Sequence, residues 1–327
     1  MRIAITGASG HIGSTLVREL NGGKHQLKLL IHEDQKGLEG LDYVAVKGNV
    51  LDTRSLDELC RDVDVVFHLA AIIAIDKKYR DLVYKTNVEG TRNVVNACLS
   101  NHVSRLIHFS SIHALNPFPL DEPLDEHRSL VTNSHGLYDQ SKADGERIIK
   151  EKVQTEGFNA LIINPTAIIG PYDYRYSYLG QALRYIYEGS LPTLVPGGYD
   201  WVDVRDVVQA AINAIRMGRK GESYLLSGTY RSLKELSLMV QEISPHRTPK
   251  GVVPTQVARL GLPFIQLYAR LKKEAPLYTA ESLTILKECN PNIKNDKARK
   301  ELGFTPRPLK ETLVDTFTWQ KRAWNLK

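Results

Sequence analysis

Residues 6–13 read TGASGHIG, with glycines every third position, between an apolar run, RIAIT (2–6), and the amphipathic opening of a helix, STLVREL (14–20). No other stretch restricts the fold as much, because a buried strand that reverses through glycine into a helix is the first unit of a parallel α/β sheet. Gly7 allows the tight reversal, Gly10 lets the backbone approach a diphosphate, and Gly13 lets the helix pack closely on the strand. The helix N-terminus is then left to hold the anion, and Ser9, His11 and Ile12 complete the cradle. The spacing is G-x-x-G-x-x-G rather than G-x-G-x-x-G, and a glycine turn by itself also closes ordinary strand-to-helix loops. The flanking strand and helix turn the reading toward a nucleotide site.

Strands and helices alternate through the first half of the chain. Apolar runs at 27–31, 43–47, 63–69, 106–110 and 160–164 have the character of buried strands, and helical patterns such as NVEGTRNVVNACL (87–99) and 138–152 separate most of them. The expected class is α/β, a Rossmann-type doubly wound parallel sheet with helices on both faces, which binds ligands beyond the carboxyl ends of its strands. After residue 168 the alternation gives way to a tyrosine-, proline- and glycine-rich stretch. It resumes with WVDVRDVVQAAINAI (201–215) and a strand-like SYLLSG (223–228). Residues 1–167 with about 200–228 are therefore expected to form the dinucleotide domain, and 168–199 with 229–327 a smaller, discontinuous substrate lobe.

Composition sets outer limits. A chain of 327 residues that is 42% hydrophobic and 24% charged is ordinary for a soluble protein. It has no apolar run of about 18 residues, and its N-terminus enters a strand at once, so neither a membrane span nor a leader is expected, and the cytoplasm is the expected compartment. Cys60, Cys98 and Cys289 are scattered and odd in number, which suits reduced structural thiols and argues against a disulfide framework or a metal site. The formal charge of +6 is interleaved along the chain rather than gathered in a block, so nucleic acid is not an expected partner. The excess helps attract an anionic cofactor or substrate.

Tyr138 and Lys142 stand four apart on a helical pattern, hence on one face. An ammonium beside a phenol favours the phenolate and lowers its pKa from about 10 toward working pH, which makes the phenol a general acid or base. The spacing alone equally describes a surface helix with a lysine stem laid along it.

Read in order, TGASGHIG, GNVLD (48–52), FHLAA (67–71), NVEGT (87–91), FSSIHA (109–114), YDQSK (138–142), NPTAIIGP (164–171), WVDVRDV (201–207) and KARKELGFTPRPLKETL (297–313) make the chain resemble the extended short-chain dehydrogenases/reductases, within the broad NAD-dependent epimerase/dehydratase group. The resemblance implies hydride transfer to or from a nicotinamide, with Tyr138 exchanging the proton, Ser111 holding the substrate oxygen and Lys142 also binding the nicotinamide ribose. FSSI is most similar to the T-S-S-I of hydroxysteroid-dehydrogenase-like and cinnamoyl-CoA-reductase-like members, where the second serine acts. Ser110 then closes the strand. Leu69, Ala70, Ala71, Pro165 and Thr166 fall in motifs that line the cofactor, and Asn87 lies near the nicotinamide or caps its helix. A homodimer through the helices beginning near Asn87 and Tyr138 is implied as well.

Cofactor choice turns on the end of the second strand, LKLLIHED (27–34), where an acid would bond the ribose of NAD and a base would accept the extra phosphate of NADP. His32 stands where NADP-preferring relatives carry arginine, with Lys36 nearby, so the sequence tilts toward NADP over NAD. Asn49 stands where many relatives have aspartate, and its amide can still bond the adenine amine, with Val50 covering the ring. His113 and His135 flank the site as substrate contacts or as packing residues, and Tyr172 and Tyr174 lead a tyrosine-rich segment that either meets substrate or packs between lobes. VPTQVARLGLPFIQLYARLKK (253–273) reads as a lid over an apolar substrate, with membrane contact as its alternative. The expected partner is a small carbonyl or alcohol. A nucleotide-sugar epimerase or dehydratase is the second reading, set back by INPTAIIGP where such enzymes show R-x-F-N-V-Y-G-P, and a non-catalytic cofactor sensor is the third.

Overall fold

The computed structural model describes residues 1–32, 34–73, 79–132, 136–191, 193–272 and 278–326. Its strands in chain order are β1 (Arg2–Thr6), β2 (Gln26–Ile31), β3 (Val44–Lys47), β4 (Val65–His68), β5 (Arg105–Phe109), β6 (Ala160–Pro165), β7 (Ala167–Ile169), β8 (Gly198–Asp203), β9 (Ser223–Leu226) and β10 (Thr229–Ser232). The helices are α1 (His11–Leu20), α2 (Thr53–Cys60), α3 (Arg80–Tyr84), α4 (Gly90–Ser100), α5 (Leu137–Glu156), α6 (Tyr178–Tyr187), α7 (Val204–Met217), α8 (Leu233–Gln241), α9 (Thr255–Lys272), α10 (Ala280–Glu288), α11 (Asp296–Leu302) and α12 (Leu309–Ala323).

Seven strands form a parallel sheet in the order β3-β2-β1-β4-β5-β6-β9. Successive side chains of a strand point to opposite faces, and here both faces are covered, so the strands read as unbroken apolar runs. Ile3, Ile5, Val65, Phe67, Ile107, Phe109, Leu161 and Ile163 join one core, with residues of α1 and α7. Their neighbours Ala4, Val66, Leu106, Ala160 and Ile162 join the other, with residues of α2, α4 and α5. The order reverses direction at β1 and β4, and a crevice opens there beyond the carboxyl ends.

A second sheet, β10-β8-β7, and helices α6, α8, α10 and α12 build the smaller lobe around Leu183, Tyr187, Trp201, Leu236, Leu313 and Phe317. Two segments sit across the division expected from sequence. Residues 198–203 pair with β7 and β10, so the chain returns to the large sheet only at α7. Ala298, Leu302 and Phe304 pack into the core of the large sheet, because α11 lies against α7 and β9. The join is electrostatic as well: Asp203 caps α7 and takes two bonds from Arg205, while Arg307 donates to Asp206 at 2.8 and 2.9 Å.

Among the described residues no helix is long and apolar enough to cross a membrane. Residues 255–272 of the amphipathic stretch 253–273 form α9, with Pro263 inside it, and residue 273 lies outside the described residues.

Candidate functional site

The glycine turn joins β1 to α1. Gly7 has φ +72°, and a Cβ there would stand 2.6 Å from the Ala70 amide nitrogen. A Cβ on Gly13 would stand 2.2 Å from the Gly7 carbonyl oxygen, so helix and turn touch backbone to backbone. Gly10 differs, since a Cβ there would meet only the Gly7 oxygen, at 3.3 Å. Its other side is open, and it faces a cavity of ≈ 1510 Å³. That exceeds the roughly 300–1,000 Å³ typical of one small-molecule pocket and leaves room for a dinucleotide and a second molecule.

Gly7, Gly10, His11, Ile12 and Gly13 reach this cavity, as do Leu69 and Ala71 beyond β4, Ser110 and Ser111 beyond β5, Pro165 and Thr166 at the end of β6, and Tyr138 and Lys142 on α5. The Ser110 hydroxyl is buried there with no hydrogen-bond partner among the described residues. An open glycine cradle and an orphaned hydroxyl on the same cavity fit a bound dinucleotide.

Tyr138 sits in the first turn of α5, and its ring meets that of His113 edge-on at 6.0 Å. The Ser111 hydroxyl accepts from the His113 amide at 3.2 Å and is close enough to the phenol to favour its ionised form. Asn164 Nδ2 donates to the Ser111 carbonyl at 3.0 Å and to buried Glu146, which fixes the backbone behind the serine. His113 Nδ1 stands 3.3 Å from Asp139 Oδ1 at the cavity wall. His135 lies outside the described residues.

The expected acidification of the phenol is reversed. Burial pushes Tyr138 up to about 12, with Asp139 adding to the rise and Ser111 opposing it. Lys142 Nζ instead donates to the Phe109 carbonyl at 2.7 Å, and burial pulls its ammonium down to about 8, with Glu146 opposing. Burial disfavours the charged form of each group, which raises the phenol and lowers the ammonium.

This arrangement has a measurable consequence. An unfolded lysine keeps its proton to about 10.5, whereas the folded one loses it through about 8, so stability is lowest below pH 8 and rises as pH passes from 8 to 10.5. Between pH 7 and 9 the wild type should gain about 1 kcal/mol relative to Lys142→Met in urea unfolding. A difference between the two proteins that stays flat over this range would exclude a depressed, buried lysine.

Several residues expected at the site also make contacts within the chain. Asn87 is no helix cap: it lies in a π-helical turn, Lys85–Glu89, and its amide bonds Ile72 N–H and C=O and the Ser141 hydroxyl. It therefore pins the loop after β4. Val50 is buried in the core against Gly90, and Asn49 Oδ1 accepts from the Leu51 amide. Ala70 donates its amide to the Thr6 hydroxyl, and His32 is exposed at the end of β2. Tyr172 and Tyr174 turn from the substrate cavity to Arg18 and Trp319, because the Tyr174 hydroxyl accepts from Arg18 at 3.0 Å and its ring covers Gly37.

Three contributors escape the sequence. His68 on β4 bridges Thr6 and Thr91, and burial drives its imidazole down to about 3, so it serves as a neutral strut. Asp200 stands in the cavity wall, accepting from Thr166 and the Gly228 amide at 2.6 and 2.7 Å, and burial raises its pKa. Arg175, the lone cation in YDYRYSY, donates to Ser9 across the glycine turn. Cys289 also lines the cavity, where burial pushes its thiol up to about 11 and keeps it neutral.

Comparison with known proteins places this geometry among relatives. The family model described as NAD dependent epimerase/dehydratase family matches residues 3–227. The chain is 29% identical to "Sterol demethylase protein B" of Methylococcus capsulatus, covering 98% of each. It is 25% identical to the "4-hydroxy-2-methyl-3-oxo-4-farnesyl-3,4-dihydroquinoline-1-oxide ketoreductase" of Stigmatella aurantiaca, covering 94% of this chain and 92% of the relative. Among solved structures, "Crystal structure of gox2253" is similar with a TM-score of 0.86 and 29% identity over 99% of each chain.

Proposed function

Because this chain belongs to the NAD dependent epimerase/dehydratase family, we propose that it is an NAD(P)-dependent oxidoreductase of the extended short-chain type, moving hydride between nicotinamide and the carbonyl or alcohol of a bulky, largely apolar substrate. The observation that carries this reading is the convergence of Ser111, Tyr138 and Lys142 on the same cavity as the open glycine turn. A nicotinamide bound here would supply or accept the hydride. Tyr138 then gives a proton to the substrate oxygen in reduction and takes it back in oxidation. Ser111, its hydroxyl oriented by the His113 amide, positions that oxygen beside the phenol. Lys142, anchored on the Phe109 carbonyl, would bind the ribose of the cofactor.

Substrate class follows from the wall of the cavity beyond the catalytic trio. Leu183, Ile186, Leu191, Trp201 and Leu286 offer apolar surface, interrupted by Asp200. Such a wall suits a ring system or prenyl-like body carrying one polar group that Asp200 meets. The names of the two relatives above, a sterol demethylase protein and a ketoreductase of a farnesyl compound, agree with that class. NADP is the proposed cofactor, a homodimer through α4 and α5 the proposed assembly and the cytoplasm the proposed compartment; light scattering checks the assembly.

The test is oxidation of reduced nicotinamide, followed by absorbance, across ketones graded by apolar size. Turnover should rise from small ketones to fused-ring or prenylated ones, and Asp200→Asn should raise KM more than it lowers kcat. A nucleotide sugar converted without net redox change, with the bulky ketones inert, would replace this reading by the epimerase or dehydratase one, which the family's own description keeps in view.

A further inference from the structure

We propose that Arg175, carried by the second lobe between β7 and α6, grips the 2′-phosphate of NADP, and that Asp34 is the carboxylate that holds it in place until the phosphate arrives. The proposal rests on the dinucleotide reading above and adds a specificity residue from outside the nucleotide sheet.

In a doubly wound sheet the adenosine ribose lies between the glycine turn and the end of the second strand. Arg175 spans that gap. Its Nη2 donates to Ser9 Oγ at 2.7 Å on the turn and stands 3.2 Å from Asp34 Oδ2, just after β2. The Asp34 side chain is itself set by the Lys36 amide, which donates to Oδ1 at 2.8 Å. Both charged side chains remain nearly half exposed, so their attraction is screened and contributes little. A phosphate dianion outcompetes a single carboxylate for the planar guanidinium fork, because it offers more charge and paired acceptors.

The segment bearing Arg175 is held rigidly over the nucleotide domain. Arg18 ties the Tyr174 hydroxyl and the Gly37 carbonyl together. Tyr176 stacks on Trp324 at 4.4 Å, and the Lys36 ammonium stands over its ring at 5.0 Å. Buried Asp173 binds the Ser177 amide and hydroxyl at the start of α6. Tyr172 and Tyr176 adopt φ of +70° and +55°, conformations that L residues enter only when packing enforces them. This enforced backbone places a cation over the turn while the tyrosines pack between the two lobes, with Arg18 and Lys36 on one side and Trp319 and Trp324 on the other. Lys36 brings a second positive charge to the same corner.

Isothermal calorimetry with NADPH, NADH, adenosine 2′,5′-bisphosphate and ADP tests the assignment. Arg175→Gln should weaken NADPH and the bisphosphate by roughly 10- to 100-fold and leave NADH and ADP within about threefold. Asp34→Asn should tighten NADPH and the bisphosphate. Equal losses for all four ligands with Arg175→Gln would overturn the proposal in favour of a structural tie or a diphosphate contact. A wild type that prefers NADH, and loses it with Asp34→Asn, would overturn it by making Asp34 the ribose ligand. Failure of the wild type to bind either complete cofactor would instead remove the dinucleotide reading on which the proposal stands.

Discussion

Replacing Tyr138 by phenylalanine should lower kcat for ketone reduction by about 10²- to 10⁴-fold, the range lost with a positioned general acid. The substitution deletes only a hydroxyl. The ring keeps its edge-on contact with His113, and Ser111 keeps the bond from the His113 amide. Cofactor affinity, measured by fluorescence titration, should therefore stay within about threefold, and KM should change far less than kcat, the pattern of a group needed mainly in the transition state. Turnover of the variant within a few fold of wild type would remove Tyr138 from the chemistry. The pH dependence has a direction as well. With the phenol pushed up to about 12, the proton donor is fully in place at neutral pH, so reduction should not be limited by this group there. Oxidation draws on the phenolate, and its rate should climb with pH through the alkaline range.

A pair of glycine substitutions separates folding from binding within one turn. In Gly13→Ala the new methyl would stand 2.2 Å from the Gly7 oxygen and 2.7 Å from the Ala8 Cα, backbone atoms that cannot swing aside. The expected loss is about 3 kcal/mol or more, visible as a fall in the melting midpoint or as failure to accumulate. Gly10→Ala meets only one atom, at 3.3 Å, and its methyl points toward the cavity. Its melting midpoint should stay within about 3 °C of wild type, while NADPH affinity falls on the order of 10²-fold because the diphosphate can no longer approach the backbone. Loss of stability in Gly10→Ala equal to that in Gly13→Ala, or full cofactor affinity in Gly10→Ala, would show that the turn serves packing alone.

The parts of the fold that the sequence made legible are those governed by short-range sterics. Buried strands on both faces leave unbroken apolar runs, and β1, β4, β5 and β6 stood out for that reason. The second sheet did not, because β7 and β10 are short and only partly buried, β8 runs straight into α7, and their pairing depends on neighbours some thirty residues away. The π-helical turn at Asn87 was hidden within an ordinary helical period, and the true partner of its side chain, the loop at Ile72, carries no local mark.

By itself the sequence determined which chemical groups exist and roughly where each stands: a glycine turn after a strand, a phenol and an amine on one helical face, a serine at a strand end. Tertiary structure alone decided what those groups experience. It sent Lys142 to the Phe109 carbonyl, raised the phenol instead of acidifying it, turned Tyr172 and Tyr174 toward Arg18, and brought Arg175 across 166 residues to Ser9. The physical reason is that backbone preference is set by adjacent residues, whereas desolvation and charge pairing are summed over everything that packs nearby.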